Sequence, residues 1–88
     1  MFQIVTSNKA SRSAKKLPKQ YKSRLVELLL TLRENPVPSE YYDIKKLRGE
    51  EDTFRARLGD IRVVYEIDWR EKIVHILLVE HRGRAYSS

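Results

Sequence analysis

The stretch TFRARLGDIRVVYEID, residues 53–68, decides the fold of this 88-residue chain. Apolar and polar residues alternate on both sides of Gly59-Asp60, and an alternation of period two predicts β-strands. A two-residue connection with glycine first is typical of a tight hairpin turn. Because the turn sets the register, we predict an antiparallel hairpin in which Phe54 lies opposite Tyr65 and Ala56 lies opposite Val63.

The predicted hairpin has one apolar face and one cationic face. The apolar face, which should lie on a hydrophobic core, is completed by Leu58, Ile61 and Ile67. On the other face Arg57 lies opposite Arg62, and Arg55 lies opposite Val64. Like charges placed directly opposite each other in a sheet reduce stability, so we expect this face to bind an anion. The alternative is a solvated sheet face whose charges serve only solubility.

Length and charge limit the class of protein. Eighty-eight residues make one small domain, residues 1–88, so any active site should be an open surface rather than an enclosed cavity. Lys and Arg number 18 against 12 Asp and Glu, and the net charge of +6 favours phosphate-rich partners such as nucleic acid. The chain has no Cys and no apolar run long enough to span a membrane. We therefore expect a cytoplasmic protein with no membrane association and no cofactor.

Two helices are predicted after a short strand at residues 2–5. The first begins with an N-cap at Asn8 and ends at Lys16, and the second runs from Pro18 to about Asn35. No acidic residue precedes Glu27 in these helices, and this charge asymmetry predicts a surface that contacts a nucleic-acid backbone. The basic residues of this surface are Lys9, Arg12, Lys15, Lys16, Lys19, Lys22 and Arg24.

The second predicted helix is apolar over more than one face. Its core stripe contains Tyr21, Leu25, Leu28, Leu29 and Leu32. Val26 and Leu30 widen this stripe beyond what a surface helix needs, so we expect them to be exposed and to contact a partner. The same residues could equally hold a homodimer.

Two further strands flank the hairpin. One is predicted at residues 43–47, before an acidic turn at residues 49–52, and the other at residues 72–80. The last strand contains IVHILLV, which is apolar on both faces and therefore favours a central position in the sheet. The chain should thus be an α+β protein.

The chemistry available to the chain is that of clustered guanidinium groups with a phenol. Arg55, Arg57 and Arg62, followed by a basic tail, could surround one phosphate and stabilise the extra charge of a five-coordinate phosphorus. This chemistry is sufficient for a metal-independent ribonuclease, in which the 2′-hydroxyl of the RNA attacks the adjacent phosphorus. The proton acceptor stays open between Tyr86, with a pKa lowered by cations, and His81. With two His, no Cys and isolated glycines, neither a zinc site nor a phosphate-binding loop is expected.

The order of these motifs resembles a known family over essentially the whole chain. Two helices are followed by KKLRG at residues 45–49, FRARLGDIRVVYEI at residues 54–67 and EHRGRAY at residues 80–86. This combination resembles the RelE family within the RelE/ParE superfamily of toxin–antitoxin toxins, and most closely its archaeal members. The resemblance implies two N-terminal helices packed on an antiparallel sheet. It also implies an endonuclease that cuts messenger RNA in the ribosomal A site and is silenced by a RelB-like antitoxin.

The resemblance also assigns roles to residues. Catalysis would fall on Arg55, Arg62, Arg82 and Tyr86. Contacts with RNA and the ribosome would fall on Arg57, Arg84, Lys45, Lys46, Arg12, Lys15, Lys16, Lys19 and Lys22. Bacterial members typically carry lysines where Arg55 and Arg57 stand, and an arginine cannot act as a base, so the base would be Tyr86 or no discrete group. Two other functions stay open: a ParE-like inhibitor of DNA gyrase, and an antitoxin-binding module without nuclease activity.

Overall fold

A computed structural model of the protein describes residues 1–49 and 51–82, and this part of the chain folds into two helices and one five-stranded sheet. The elements are, in chain order, β1 (Gln3–Thr6), α1 (Asn8–Lys15), α2 (Lys19–Glu34), β2 (Asp43–Lys46), β3 (Thr53–Leu58), β4 (Ile61–Asp68) and β5 (Ile73–His81). The strands lie side by side in the order β1-β5-β4-β3-β2. The last strand is therefore internal, between β1 and β4, as its apolar sequence predicts.

The hairpin has the predicted register. Phe54 lies opposite Tyr65, Ala56 opposite Val63 and Arg57 opposite Arg62. The turn residue Gly59 has a φ of 60°, a left-handed conformation that costs other residues about 1–2 kcal/mol. This local geometry is why the glycine of the Gly-Asp turn decides where the chain reverses.

The hydrophobic core lies between the helices and one face of the sheet. Leu28 and Leu32 of α2 are fully buried there, as are Ala56, Val63 and Tyr65 from the hairpin. Both predicted core faces are thus confirmed. No helix in residues 1–49 and 51–82 is long and apolar enough to cross a membrane.

Three details of the predicted fold were wrong. The sheet is mixed rather than antiparallel, because β1 pairs with β5 in parallel. This pairing joins the two ends of the chain, so no local turn specifies it. The helices follow β1, as the sequence pattern predicts, and are not N-terminal as the family resemblance implies. Ser7, not Asn8, caps α1: its Oγ accepts a hydrogen bond of 3.0 Å from the N–H of Ala10, three residues along.

Candidate functional site

Four charged residues form one row across the sheet, on the face directed away from the helices. The strand registers place Asp43 opposite Arg57, Arg57 opposite Arg62, and Arg62 opposite Glu80. We refer to these four residues as the charged row. The two arginines that were predicted to attract an external anion therefore have a carboxylate on each side, one from β2 and one from β5. Neither carboxylate was predicted as part of the site.

Glu80 is hydrogen-bonded to Arg62. The Nε of Arg62 donates to Oε1 of Glu80 over 2.9 Å, and Nη2 donates to the same oxygen. Both side chains are about half exposed, and an ion pair in such a position contributes at most about 1 kcal/mol to stability. Its effect is therefore mainly geometric. It holds the Nε edge of the guanidinium against Glu80 and leaves the other N–H groups of Arg62 outside this contact.

Arg55 lies on the same face of the sheet but is withdrawn from solvent. Its side chain is only 10% exposed, and its Nη2 donates to Oδ1 of Asp43 over 3.4 Å. Arg57 is exposed and forms no ion pair within residues 1–49 and 51–82. Of the three hairpin arginines, Arg55 is thus buried and paired with Asp43, Arg62 is exposed and paired with Glu80, and Arg57 is exposed without an ion pair among the described residues.

A groove of about 760 Å³ at the turn end of the hairpin brings basic residues of several elements together. Its lining contains the cations Lys9, Lys16, Arg57, Arg62 and Arg82 and the carboxylates of Asp60 and Glu80. Arg82 directly follows β5, where its backbone N–H donates to the carbonyl of Asp60 over 2.9 Å. Five cations against two carboxylates make this groove a candidate site for an anion.

Helix α1 forms one wall of this groove. Lys9 and Lys16 line it together with Ser13, and their spacings of four and three residues place all three on one face of the helix. Sequence reasoning included Lys9 among the basic helix residues but did not assign it to the site, and it missed Ser13. The helical spacing was the signal that would have found both.

His81 lines the groove and is partly buried. Its ring lies 5.3 Å from the ring of Tyr21, centroid to centroid. Its Nδ1 is buried and has no hydrogen-bond partner among the described residues. His81 also lies opposite the buried Ile61, so it belongs to the core face of the strand, whereas Glu80 belongs to the outer face.

The other predicted contacts lie away from this groove. Lys45 and Lys46 are exposed on the edge strand β2, and Arg12 and Lys19 are exposed on the helices. A separate apolar groove of about 360 Å³ lies where α1, α2 and β5 meet, and it is flanked by Lys15 and Lys22. Arg84 and Tyr86 lie outside the described residues. Their roles, like those of all residues named in this section, stay predictions.

Comparisons with known proteins place the whole chain in one group. The family model described as "ParE toxin of type II toxin-antitoxin system, parDE" matches residues 4–86. The protein named "Putative toxin RelE1" of Methanocaldococcus jannaschii is 33% identical over 87 residues, which is 99% of this chain and 97% of that protein.

Two solved structures extend the likeness to three dimensions. A chain in the crystal structure of the archaeal RelE–RelB complex from Pyrococcus horikoshii has 36% identity and a TM-score of 0.84, over 94% of this chain and 97% of that one. A chain in the toxin–antitoxin complex RelBE2 of Mycobacterium tuberculosis has 34% identity and a TM-score of 0.76, over 92% of this chain and 98% of that one.

Proposed function

The chain belongs to the RelE/ParE superfamily of type II toxin–antitoxin toxins, and we propose that it is an endoribonuclease that cuts messenger RNA in the ribosomal A site and so inhibits translation. One observation carries the proposal. Five basic side chains from α1, β3, β4 and the end of β5 converge on one open groove. An open groove admits a polynucleotide chain already held by a large particle, whereas an enclosed cavity would exclude it.

The reaction proposed for the groove uses the RNA as its own nucleophile. A phosphodiester binds to the exposed Arg57 and to the free edge of Arg62, and the neighbouring 2′-hydroxyl attacks the phosphorus. The five-coordinate phosphorus carries additional negative charge, and the planar guanidinium groups stabilise it with paired hydrogen bonds. Lys9 and Lys16 on α1 then bind phosphates that flank the cleaved bond. Arg82 completes the cation cluster, and the proposed role of Tyr86 comes from the family resemblance alone.

Arg55 supports this arrangement in a different way from Arg62. Its buried guanidinium donates a hydrogen bond to Oδ1 of Asp43, which draws this carboxylate toward Arg55 and away from Arg57 in the proposed arrangement. In the proposed function Arg55 therefore keeps Arg57 free to bind phosphate. Contact between Arg55 itself and RNA would require its side chain to leave Asp43.

The proposed partner in the resting cell is a RelB-like antitoxin. Similar chains have been solved in RelE–RelB and RelBE2 complexes. On α2, Val26 is 55% exposed and Leu30 is 54% exposed, one helical turn apart. An apolar stripe of this kind is suited to an antitoxin segment that folds as it binds.

Primer-extension mapping of messenger RNA positioned on ribosomes tests the proposal, with the same RNA free in solution as a second sample. We expect cuts confined to the A-site codon, and we expect Arg62→Ala and Arg82→Ala to abolish them. Arg70→Ala is the control, because Arg70 is exposed in the turn between β4 and β5 and lies outside the groove. Unchanged cutting by both groove variants would contradict the site.

The ParE description of the matching family model supports one alternative, inhibition of DNA gyrase. A supercoiling assay with the purified protein separates it from RNA cleavage. Inhibition of supercoiling, with intact messenger RNA on ribosomes, would replace the proposed function by this one. If neither effect occurs with folded protein, the chain is an antitoxin-binding module.

A further inference from the structure

The cleavage proposed above needs a group that accepts the proton of the 2′-hydroxyl. Arginine cannot serve, since its guanidinium stays protonated in proteins. The Nδ1 of His81 is buried on the core side of β5, so only its Nε2 is left to face the groove that His81 lines. Among the described residues that line the groove, the candidates are therefore this Nε2 and the carboxylates of Asp60 and Glu80. Of these three groups, Glu80 is the one that is hydrogen-bonded to an arginine of the charged row.

We propose that Glu80 is the general base of this ribonuclease, a role that rests on the proposed function. Both hydrogen bonds that it accepts within residues 1–49 and 51–82 come from Arg62 and end on Oε1. The second carboxylate oxygen, Oε2, accepts none from these residues, and the side chain is 44% exposed to the groove. One oxygen of Glu80 is thus anchored while the other is available for a proton.

The shared guanidinium brings base and substrate together. Arg62 uses its Nε edge for Glu80, so its remaining N–H groups are the ones that can hold a phosphate. The attacking 2′-hydroxyl belongs to the ribose bonded to that phosphate. A general base must lie within about 3 Å of the proton it accepts, or reach it through one water, and binding to one guanidinium brings the carboxylate and the phosphate close together.

The backbone holds Glu80 in this place. It lies directly opposite Arg62 in the β4–β5 ladder, and two residues later the N–H of Arg82 donates to the carbonyl of Asp60. These contacts fix the backbone at Glu80 and just after it. A general base on a rigid strand loses little freedom when RNA binds, which favours proton transfer.

The proton balance of the step is simple. The 2′-oxygen forms a bond to phosphorus as its proton passes to Oε2 of Glu80, and the bond from phosphorus to the 5′-oxygen breaks. The departing 5′-oxygen takes a proton from water, which the open groove admits, and Glu80 returns its proton to water. The products are a 2′,3′-cyclic phosphate and a 5′-hydroxyl, with no net uptake or release of protons.

Glu80→Gln tests the role, because glutamine keeps an oxygen for Arg62 but cannot accept the proton. Single-turnover cleavage of ribosome-bound messenger RNA should be slower by about 10²–10⁴-fold, the usual contribution of a general base. Binding to ribosomes that carry an uncleavable messenger RNA, with a 2′-deoxy nucleotide at the cleavage position, should stay within about twofold of wild type. Glu80→Asp should recover part of the rate, since it restores a carboxylate.

The control is Glu66→Gln. Glu66 is on β4, opposite His75, and like Glu80 it lies on the outer face of the sheet, but it is outside the groove. It should cut at the wild-type rate. Wild-type cutting by Glu80→Gln would overturn the proposal, since a group that only positions Arg62 is replaceable by glutamine. Faster cutting would also overturn it, because Glu80 would then be a competitor of the phosphate. If the wild-type protein itself does not cut, the proposed function fails before this question arises.

Discussion

Arg57 lies directly opposite Arg62 across the β3–β4 hairpin, and both side chains are exposed. Such a like-charge pair lowers stability by about 0.2–1 kcal/mol. We therefore expect Arg57→Ala to leave the free energy of unfolding unchanged or to raise it by up to about 1 kcal/mol, while weakening binding to RNA. Urea unfolding and RNA binding at two salt concentrations would measure the two effects. A clear loss of stability would show that Arg57 has a structural role instead.

The turn residue Gly59 is expected to tolerate substitution poorly for two reasons. Its φ is 60°, and a Cβ at this position would lie 3.2 Å from the hydroxyl oxygen of Tyr21. Gly49 is a matched control, because it has a φ of 80° and, among the described residues other than its chain neighbours, no heavy atom lies within 4 Å of a Cβ built there. Gly59→Ala should therefore lower the melting temperature more than Gly49→Ala does. Equal losses would mean that backbone strain, about 1–2 kcal/mol at each site, is the whole effect.

We predict that the buried hydroxyl of Tyr65 makes the free energy of unfolding fall at alkaline pH. Its hydroxyl is buried and donates to the carbonyl of Pro36 over 2.7 Å, and burial raises its pKa above the ordinary value of 10.0. Above pH 10.0 the unfolded chain loses the phenol proton of Tyr65 while the folded protein keeps it, so the contribution of Tyr65 to the free energy of unfolding falls as pH rises.

Tyr65→Phe should remove this pH-dependent contribution and cost about 1–2 kcal/mol near neutral pH, because the Pro36 carbonyl loses its buried donor. The difference in free energy of unfolding between wild type and Tyr65→Phe should shrink between about pH 9 and about pH 12. Tyr41→Phe is the control, since Tyr41 is 78% exposed. A difference that stays constant over this range would contradict the prediction.

Arg55 and Arg62 should differ in what they contribute to folding. The Arg55 side chain is 10% exposed and packs within the sheet surface, whereas the Arg62 side chain is 54% exposed. Because a buried arginine also contributes the packing of its aliphatic stem, Arg55→Ala should lower the free energy of unfolding by about 1–3 kcal/mol. Arg62→Ala should change it by less than about 1 kcal/mol. Urea unfolding of both variants measures the two free energies. Similar small losses would show that Arg55 contributes no more to the free energy of unfolding than Arg62 does.

The exposed stripe of α2 should matter for the partner and not for the fold. We expect Val26→Asp and Leu30→Asp to retain the melting temperature within a few degrees, because both side chains are more than half exposed. Both should weaken binding of a cognate RelB-like antitoxin, which would have to bury the new charge. Arg33→Asp provides a charge-changing control on the same helix. Unchanged antitoxin affinity in both variants would place the antitoxin on another surface.

Sequence reasoning located the basic site on the right elements but not all of its members. Arg57, Arg62, Arg82 and Lys16 were predicted and line one groove. Glu80 was not assigned to it, because its place depends on a register shift between β4 and β5. Val64 lies opposite Leu78 and Tyr65 opposite Ile76, so Leu77 is left without a partner on β4. Without this extra residue, Glu80 would lie opposite the buried Ile61 instead of Arg62.

The sequence by itself determined the hairpin, its register and its two faces, because a Gly-Asp turn and an alternating pattern act over a few residues. It likewise determined the apolar stripe of α2, which helical periodicity specifies. The tertiary structure alone decided that β1 joins β5 in parallel and that Arg55 turns to Asp43. It alone also decided that Glu80 reaches Arg62. These contacts depend on pairings between distant strands, and the uniformly apolar ILLV run of β5 does not show where its alternation is interrupted.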